Sequence, residues 1–186
     1  MTDKGLELIK HWEGCSLTAY KCSAGKWTIG YGATHYVNGT PVKEGDKLKS
    51  EEEASDLLIK LVKTFEDAVD RLVSSNINPY QRDALISFTY NVGEYNLGRS
   101  TLLKKVNNNP NDKTIKDEFA KWVHCNKKVL KGLVTRRKAE SDLYFTEWTE
   151  PLPEYNSNDP KGPFYPPDNP GKNKPSWMYQ YDPDKK

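Results

Sequence analysis

His11-Trp12-Glu13-Gly14-Cys15 closes a short amphipathic stretch and runs into Tyr20-Lys21-Cys22, then Trp27-Thr28-Ile29-Gly30-Tyr31-Gly32. Residues 5–13 carry Leu6, Leu8, Ile9 and Trp12 at helical spacing, and Gly14 is a stop signal. After it the composition turns to Thr, Tyr, Trp, Ile and Gly. Thr18-Ala19-Tyr20 and Lys26-Trp27-Thr28-Ile29 predict two short strands joined at residues 22–25. Gly30 and Gly32 permit backbone shapes that other residues resist. A carboxylate at the helix end, beside Trp12 and facing a folded turn, suits an acid whose proton is held near neutral pH. A lone Glu after a helix is otherwise an ordinary surface residue. The spacing singles Glu13 out: Cys22 lies nine residues on, and Thr28 six further.

Outward from the hairpin, Asn38-Gly39 marks a tight turn. Ser50 with Glu53 forms a capping box. The helix it opens carries Ala54, Leu57, Leu58, Leu61, Val62, Phe65, Val69 and Leu72, about 20 residues or ~30 Å at 1.5 Å per residue. Asn78-Pro79 starts another helix, ending at Gly93. Further helices are predicted over 100–106, 114–124 and 135–145, with a loop at 107–111. Phe88, Leu103, Trp122 and Phe145 are read as core. From Glu150 the character changes. Residues 150–186 hold nine Pro and five Lys, the Lys nearly matched by acids. Regular structure is disfavoured there, although Tyr155, Phe164, Tyr165, Trp177, Tyr179 and Tyr181 argue against a bare linker. The expected division is a domain over 1–149 and a Pro/Tyr-rich tail over 150–186, extended or packed on it.

The 186 residues are 35% hydrophobic and 29% charged, as in a globular protein. No apolar run approaches the ~20 residues that span a bilayer, so stable membrane insertion is not expected. The start, Met1-Thr2-Asp3-Lys4-Gly5, lacks the order of a signal peptide, and synthesis in the cytoplasm is expected. Net charge is +2, yet Lys127, Lys128, Lys131, Arg136, Arg137 and Lys138 form a basic run without an acid. Such a run meets an anionic polymer or is simply solvated. Nucleic-acid binding lacks any accompanying signature. Three cysteines, Cys15, Cys22 and Cys125, cannot pair completely. Cys22, in a polar turn, is expected to react readily with thiol reagents, and Cys125, on a predicted core helix, more slowly. His11, His35 and His124 lack metal-ligand spacing. No metal and no cofactor is expected.

Glu13, Cys22 and Thr28 also match a family pattern: Glu, then Asp or Cys nine residues later, then Thr six after that. Thr28-Ile29-Gly30-Tyr31-Gly32 continues it. Further blocks are Gln81 to Phe88 with Asn91-Val92-Gly93, Ser100 to Leu103, and Gly132-Leu133-Val134-Thr135-Arg136-Arg137 with Glu140 and Leu143. Four blocks in order over roughly 4–147 make the chain resemble the phage-type lysozymes, the endolysins of glycoside hydrolase family 24. The resemblance implies an α+β, lysozyme-like fold, with a small N-terminal β-hairpin lobe joined by a long helix to a mostly helical C-terminal lobe. It implies hydrolysis of the β-1,4 bond between N-acetylmuramic acid and N-acetylglucosamine in peptidoglycan. Glu13 would be the general acid, and Cys22 and Thr28 would direct the water. Arg136 would lie beside Glu13, Asn91 would bind substrate amide groups, and Tyr31 would support the site.

Two positions depart from the best-known members. Cys22 stands where they have Asp, and a free thiol with pKa near ~8.5 is mostly neutral at pH 7. That weakens a two-carboxylate assignment and leaves the stereochemistry, inversion by resemblance, open. Ala33 stands where they have His, which implies altered packing rather than lost catalysis. The resemblance further implies a monomer, held in the host cytoplasm until holin-dependent release and then acting on the wall. The competing readings are a lysozyme fold that binds peptidoglycan without cutting it, a phage structural component docking through the tail, and a chitinase or chitosanase.

Overall fold

The computed structural model describes residues 1–22, 25–125 and 127–149. The tail expected from residue 150 lies outside these. The first helix, α1, spans Asp3–Glu13. The Thr2 side chain accepts from the Gly5 N–H at its start, and Gly14, at φ 65°, ends it. Glu13 is therefore fixed as the last helical residue. Strands β1 (Ser16–Lys21) and β2 (Trp27–Gly30) pair antiparallel, Tyr20 opposite Thr28 and Lys21 opposite Trp27. The register slips between Ser16 and Tyr20, which bends the ribbon. Thr18 bridges to Lys47, so a loop strand covers the outer edge of β1. This small lobe has the predicted composition and order.

Helix α2 spans Glu51–Leu72. Its 22 residues run about 33 Å at 1.5 Å each. Ser50 caps it by accepting from the Glu53 N–H, and Ala54, Leu57, Leu58, Val62 and Val69 face inward. It joins the hairpin lobe to a helical lobe, giving the expected α+β lysozyme-like architecture.

The helical lobe is built around α3, Pro79–Val92. Asn78 and Gln81 form a reciprocal capping box, with Pro79 in the first turn. Residues 79 to 89 of this helix are all buried, because α1, α2, α4 (Glu94–Gly98) and α7 (Lys131–Tyr144) pack around it. Its polar residues are matched inside: Arg82 forks onto Asp70 at 2.7 Å through both Nε and Nη2. Gly5 lets α1 approach α3, since a Cβ there would stand 2.5 Å from the Asp83 side chain.

Three expectations fail here. The helix predicted to reach His124 ends early: α6 is only Ile115–Ala120, following α5 (Thr101–Asn108). His124–Cys125 is β3, paired with β4 at Lys128–Val129. Trp122 and Val123 are poor helix formers, and Lys127 adopts a positive φ of 63° that turns the chain back. Cys125 is consequently exposed, as is Cys15, while Cys22 is half-buried. The expectation of a slow, core-held Cys125 is therefore corrected. Phe145 is also not core, being 40% exposed just past the end of α7. Tyr144 takes the buried position instead, and Trp122 packs half-buried with its ring edge-on to Phe88, 5.3 Å between centroids.

Candidate active site

Glu13 meets three elements at the junction of the lobes. Its Oε1 accepts from Arg136 Nη1 of α7 at 2.6 Å. Its Oε2 lies over Gly32, where an ideal Cβ would stand only 3.0 Å away, and the Tyr90 hydroxyl of α3 is close to the same point. The surroundings of the carboxylate therefore come from Gly32, Tyr90 and Arg136. Trp12, the expected shield, makes an edge contact with the His11 ring, 4.9 Å between centroids.

The Gly30-Tyr31-Gly32 turn is held from both sides. Ile29 and Ala33 exchange both backbone hydrogen bonds at 2.9 Å across it. Gly30 and Gly32 take φ of 59° and 87°. Ala33 is buried in this turn, closing it without a side chain beyond Cβ. Tyr90 donates to the Tyr31 carbonyl at 2.7 Å. Burial, then the charge of Glu13, push the Tyr90 phenol above its ordinary range, so it remains a donor. Desolvation and then the charge of Glu51 raise the Cys15 thiol, with Tyr31 opposing.

Gly32→Ala tests this close approach. An added Cβ meets Glu13 at a backbone angle that costs about 1–2 kcal/mol for an L-residue. The expected outcome is a folded protein with kcat/KM down by about 100-fold, the scale of a displaced catalytic group. Wild-type turnover would show that the turn does not position Glu13.

Side chains alternate across a strand pair. Lys21 and Trp27 share one face of the hairpin, with the lysine nitrogen 5.2 Å from the indole centroid. Tyr20 and Thr28, directly paired, share the other face, and Cys22, two residues after Tyr20, follows them. Burial raises the Tyr20 phenol, and Cys22 and Glu13 add to the effect, which puts the three in one electrostatic neighbourhood. Thr28 is buried, and its hydroxyl donates to the Lys26 carbonyl at 3.1 Å. That leaves its oxygen lone pairs as acceptors. The Cys22 N–H donates to Lys26 O at 2.9 Å, and Cys22 O accepts from Gly25 at 2.8 Å, fixing the hairpin end.

Arg136, in the basic run, is 4% exposed, and its three nitrogens are all engaged. Besides Glu13, Nε donates to Glu140 Oε1 at 3.1 Å and Nη2 to the Ser87 carbonyl at 3.3 Å. Arg137, equally buried, lies over the Phe88 ring and donates to Asn91 Oδ1 at 2.8 Å. Burial lowers it to about 10, with Glu140 opposing and Arg136 adding to the fall. Asn91, at the exposed end of α3, is thus oriented through its oxygen. The structure brings together Glu13, Arg136 and the Tyr31 turn, with the Cys22 and Thr28 face of the hairpin nearby. Sequence reasoning gave Gly32 a backbone role only, placed Ser87, Arg137 and Glu140 in family blocks without a role, and passed over Tyr90. The i, i+4 spacing of Arg136 and Glu140 was the available signal. Among the described residues no group of three His, Cys, Asp or Glu converges as a metal site, and no helix is long and apolar enough to cross a membrane.

Both the sequence and the fold are matched in known proteins. The phage lysozyme family model covers residues 10–140. The chain belongs to the phage lysozyme family. It is 41% identical over 148 residues to the endolysin of Bacillus phage B103, covering 78% of this chain and 54% of that one. It is 36% identical over 148 residues to the endolysin of Acyrthosiphon pisum secondary endosymbiont phage 1, covering 77% of this chain and 97% of that one. The chain thus spans about half the length of the first relative and nearly all of the second. Among solved structures it is similar to the endolysin from Escherichia coli O157:H7 phage FAHEc1. The TM-score is 0.71 at 36% identity, covering 77% of this chain and 92% of that one. Family membership classes it with the lysozyme-type glycoside hydrolases.

Proposed function

We propose that this protein is an endolysin-type muramidase, cleaving the β-1,4 bond between N-acetylmuramic acid and N-acetylglucosamine in peptidoglycan. The observation that carries this reading is the Glu13 carboxylate, held by Arg136 at one oxygen and presented over Gly32 at the other. Arg136 can only donate, so Oε1 must accept, and the proton of the acid form resides on Oε2. That proton passes to the departing glycosidic oxygen as its bond to C1 breaks. A water attacks C1 from the hairpin side, oriented by the Thr28 acceptor lone pairs and the Cys22 thiol, and releases its proton to solvent. Asn91, with Arg137 on its oxygen, presents its amide nitrogen to substrate. In the same reading the protein acts as a monomer on the wall after release from the host cytoplasm. Mass spectrometry of fragments from purified peptidoglycan tests the reaction: new N-acetylmuramic acid reducing ends are expected. Ends at N-acetylglucosamine, or no fragments, would overturn it.

Cys22 is the position where this reading is most exposed. Cys22→Asp is expected to retain hydrolysis, because a carboxylate orients water at least as well. Cys22→Ala is expected to lose most of it, about 100-fold, the lower end of the range for a group assisting proton movement. Initial rates on one wall substrate decide it. Equal rates for Cys22→Ala and wild type would leave the water to Thr28 alone.

A further inference from the structure

Glu140 is 0% exposed, yet nothing in the reaction above uses it. Its Oε1 accepts from Ser87 Oγ at 2.8 Å, Arg136 Nε at 3.1 Å and Arg137 Nη2 at 3.3 Å. Its Oε2 lies 3.1 Å from Arg137 Nε. Burial pushes this carboxyl upward, but both guanidiniums and Ser87 oppose. Two guanidiniums lie within 3.3 Å of this carboxylate, and Arg137 Nε faces Oε2 at 3.1 Å although the two complete no hydrogen bond, so the ionised form is the one these neighbouring charges favour. Arg136 therefore stands between two carboxylates, Glu13 at the cleft and Glu140 in the interior.

We propose that Glu140 is a positioning residue: its buried carboxylate shares Arg136 with Glu13 and so limits how strongly that guanidinium draws the proton from Glu13. The inference rests on Glu13 acting as the acid. A single arginine on a catalytic acid is a liability, because it orients the carboxyl but favours its ionised, useless form. A second carboxylate on the other side of the same guanidinium keeps the orientation and offsets the field. Arg137 works the opposite way. It adds a second buried cation within reach of Glu13 and is itself tied to Glu140.

The groups facing the pair are few. From α7 come Arg136 and Arg137, from α3 Ser87, Asn91 and Tyr90, and from β1 Tyr20. Helix α6 also packs on α7, but its buried acid, Glu118, is held by Lys105 and Lys121 at 2.9 and 2.8 Å. Helix α1 contributes Glu13 itself, with Lys10 engaged on Glu7.

The test is the alkaline limb of the kcat/KM–pH profile, which reports loss of the acid's proton in the free enzyme. Glu140→Gln leaves both guanidiniums without their counter-charge, so the limb is expected about one pH unit lower. Arg137→Met removes a cation and leaves Glu140 to Arg136, so the limb is expected higher. The double variant Glu140→Gln with Arg137→Met removes one charge of each sign and is expected near the wild-type position. It also keeps the test open if Glu140→Gln alone does not fold, since a buried ion pair exchanged whole is tolerated far better than one broken. A packing role for Glu140 would lower rates in all three variants without moving the limb in opposite directions. In parallel, carbon NMR of carboxyl-labelled protein follows the Glu13 resonance, assigned by its loss in Glu13→Gln. Opposite displacements of that titration in the two single variants support the inference even if the rate profile stays fixed. In that event it is the acid role of Glu13 that falls. A Glu13 titration unmoved in every folded variant, or moved in the same direction by both, overturns the inference.

Discussion

Glu13→Gln is expected to abolish wall hydrolysis, with kcat/KM lower by about 1,000-fold or more, in the upper range for loss of a positioned general acid. The amide keeps the shape and can still accept from Arg136 Nη1, the contact now made at 2.6 Å. It has no proton to give to a departing alkoxide. Arg136 keeps Glu140 as its counter-charge and the amide as an acceptor, so the melting temperature is expected within a few degrees of wild type. That separation is what gives the substitution its force, because the loss falls on kcat while wall binding persists. Measured turnover near wild type from the folded variant would remove Glu13 from the acid role, and with it the reading of Gly32 and Arg136 as its supports.

What the sequence displays of this site, and what it hides, follows from where the polarity lies. The hairpin was legible because a tight turn demands Gly30 and Gly32, and because paired strands demand β-formers such as Thr28 and Ile29. Helix α2 was legible because its buried stripe is apolar and its cap is explicit. Helix α7 was not legible to the same reasoning. Its buried stripe is Arg137, Glu140, Ser141 and Tyr144, correct in period but polar in content. A hydrophobicity pattern reads it as a solvated charged face. Helix α3 hides its polar interior likewise, with Gln81, Arg82, Asp83, Ser87 and Thr89 all buried. Arg136 was placed beside Glu13 by the family resemblance alone, and nothing in the basic run 127–138 distinguishes it from Lys131 or Lys138. The β3–β4 hairpin was missed because its strands are two residues each, too short for any period to show. In each case the missing information is a long-range partner, which local pattern does not carry.

Arg136→Ala is expected to be the costliest change to the fold in this region as well as a severe one for activity. The guanidinium is almost wholly buried and joins α7 to α1 through Glu13, to α3 through the Ser87 carbonyl, and to its own helix through Glu140. Truncation leaves Glu140 with one guanidinium instead of two and leaves a cavity beneath Glu13. Breaking a buried pair typically costs 3–5 kcal/mol, and partial exposure of Glu13 argues for the lower end, about 3 kcal/mol. For a chain of this size that corresponds to a melting temperature lower by about 6–12 °C. The activity loss has a different origin. Without Arg136, Glu13 no longer has a fixed rotamer over Gly32, and misplacement by about 1 Å can cost on the order of 100-fold. Arg136→Lys separates the two effects. It restores a cation but cannot reach Glu13, Glu140 and Ser87 together from one planar fork. Its melting temperature is expected to recover in part, and its turnover to remain close to that of Arg136→Ala. Full recovery of turnover by lysine would show that charge alone, not the three-way geometry, is what Glu13 requires.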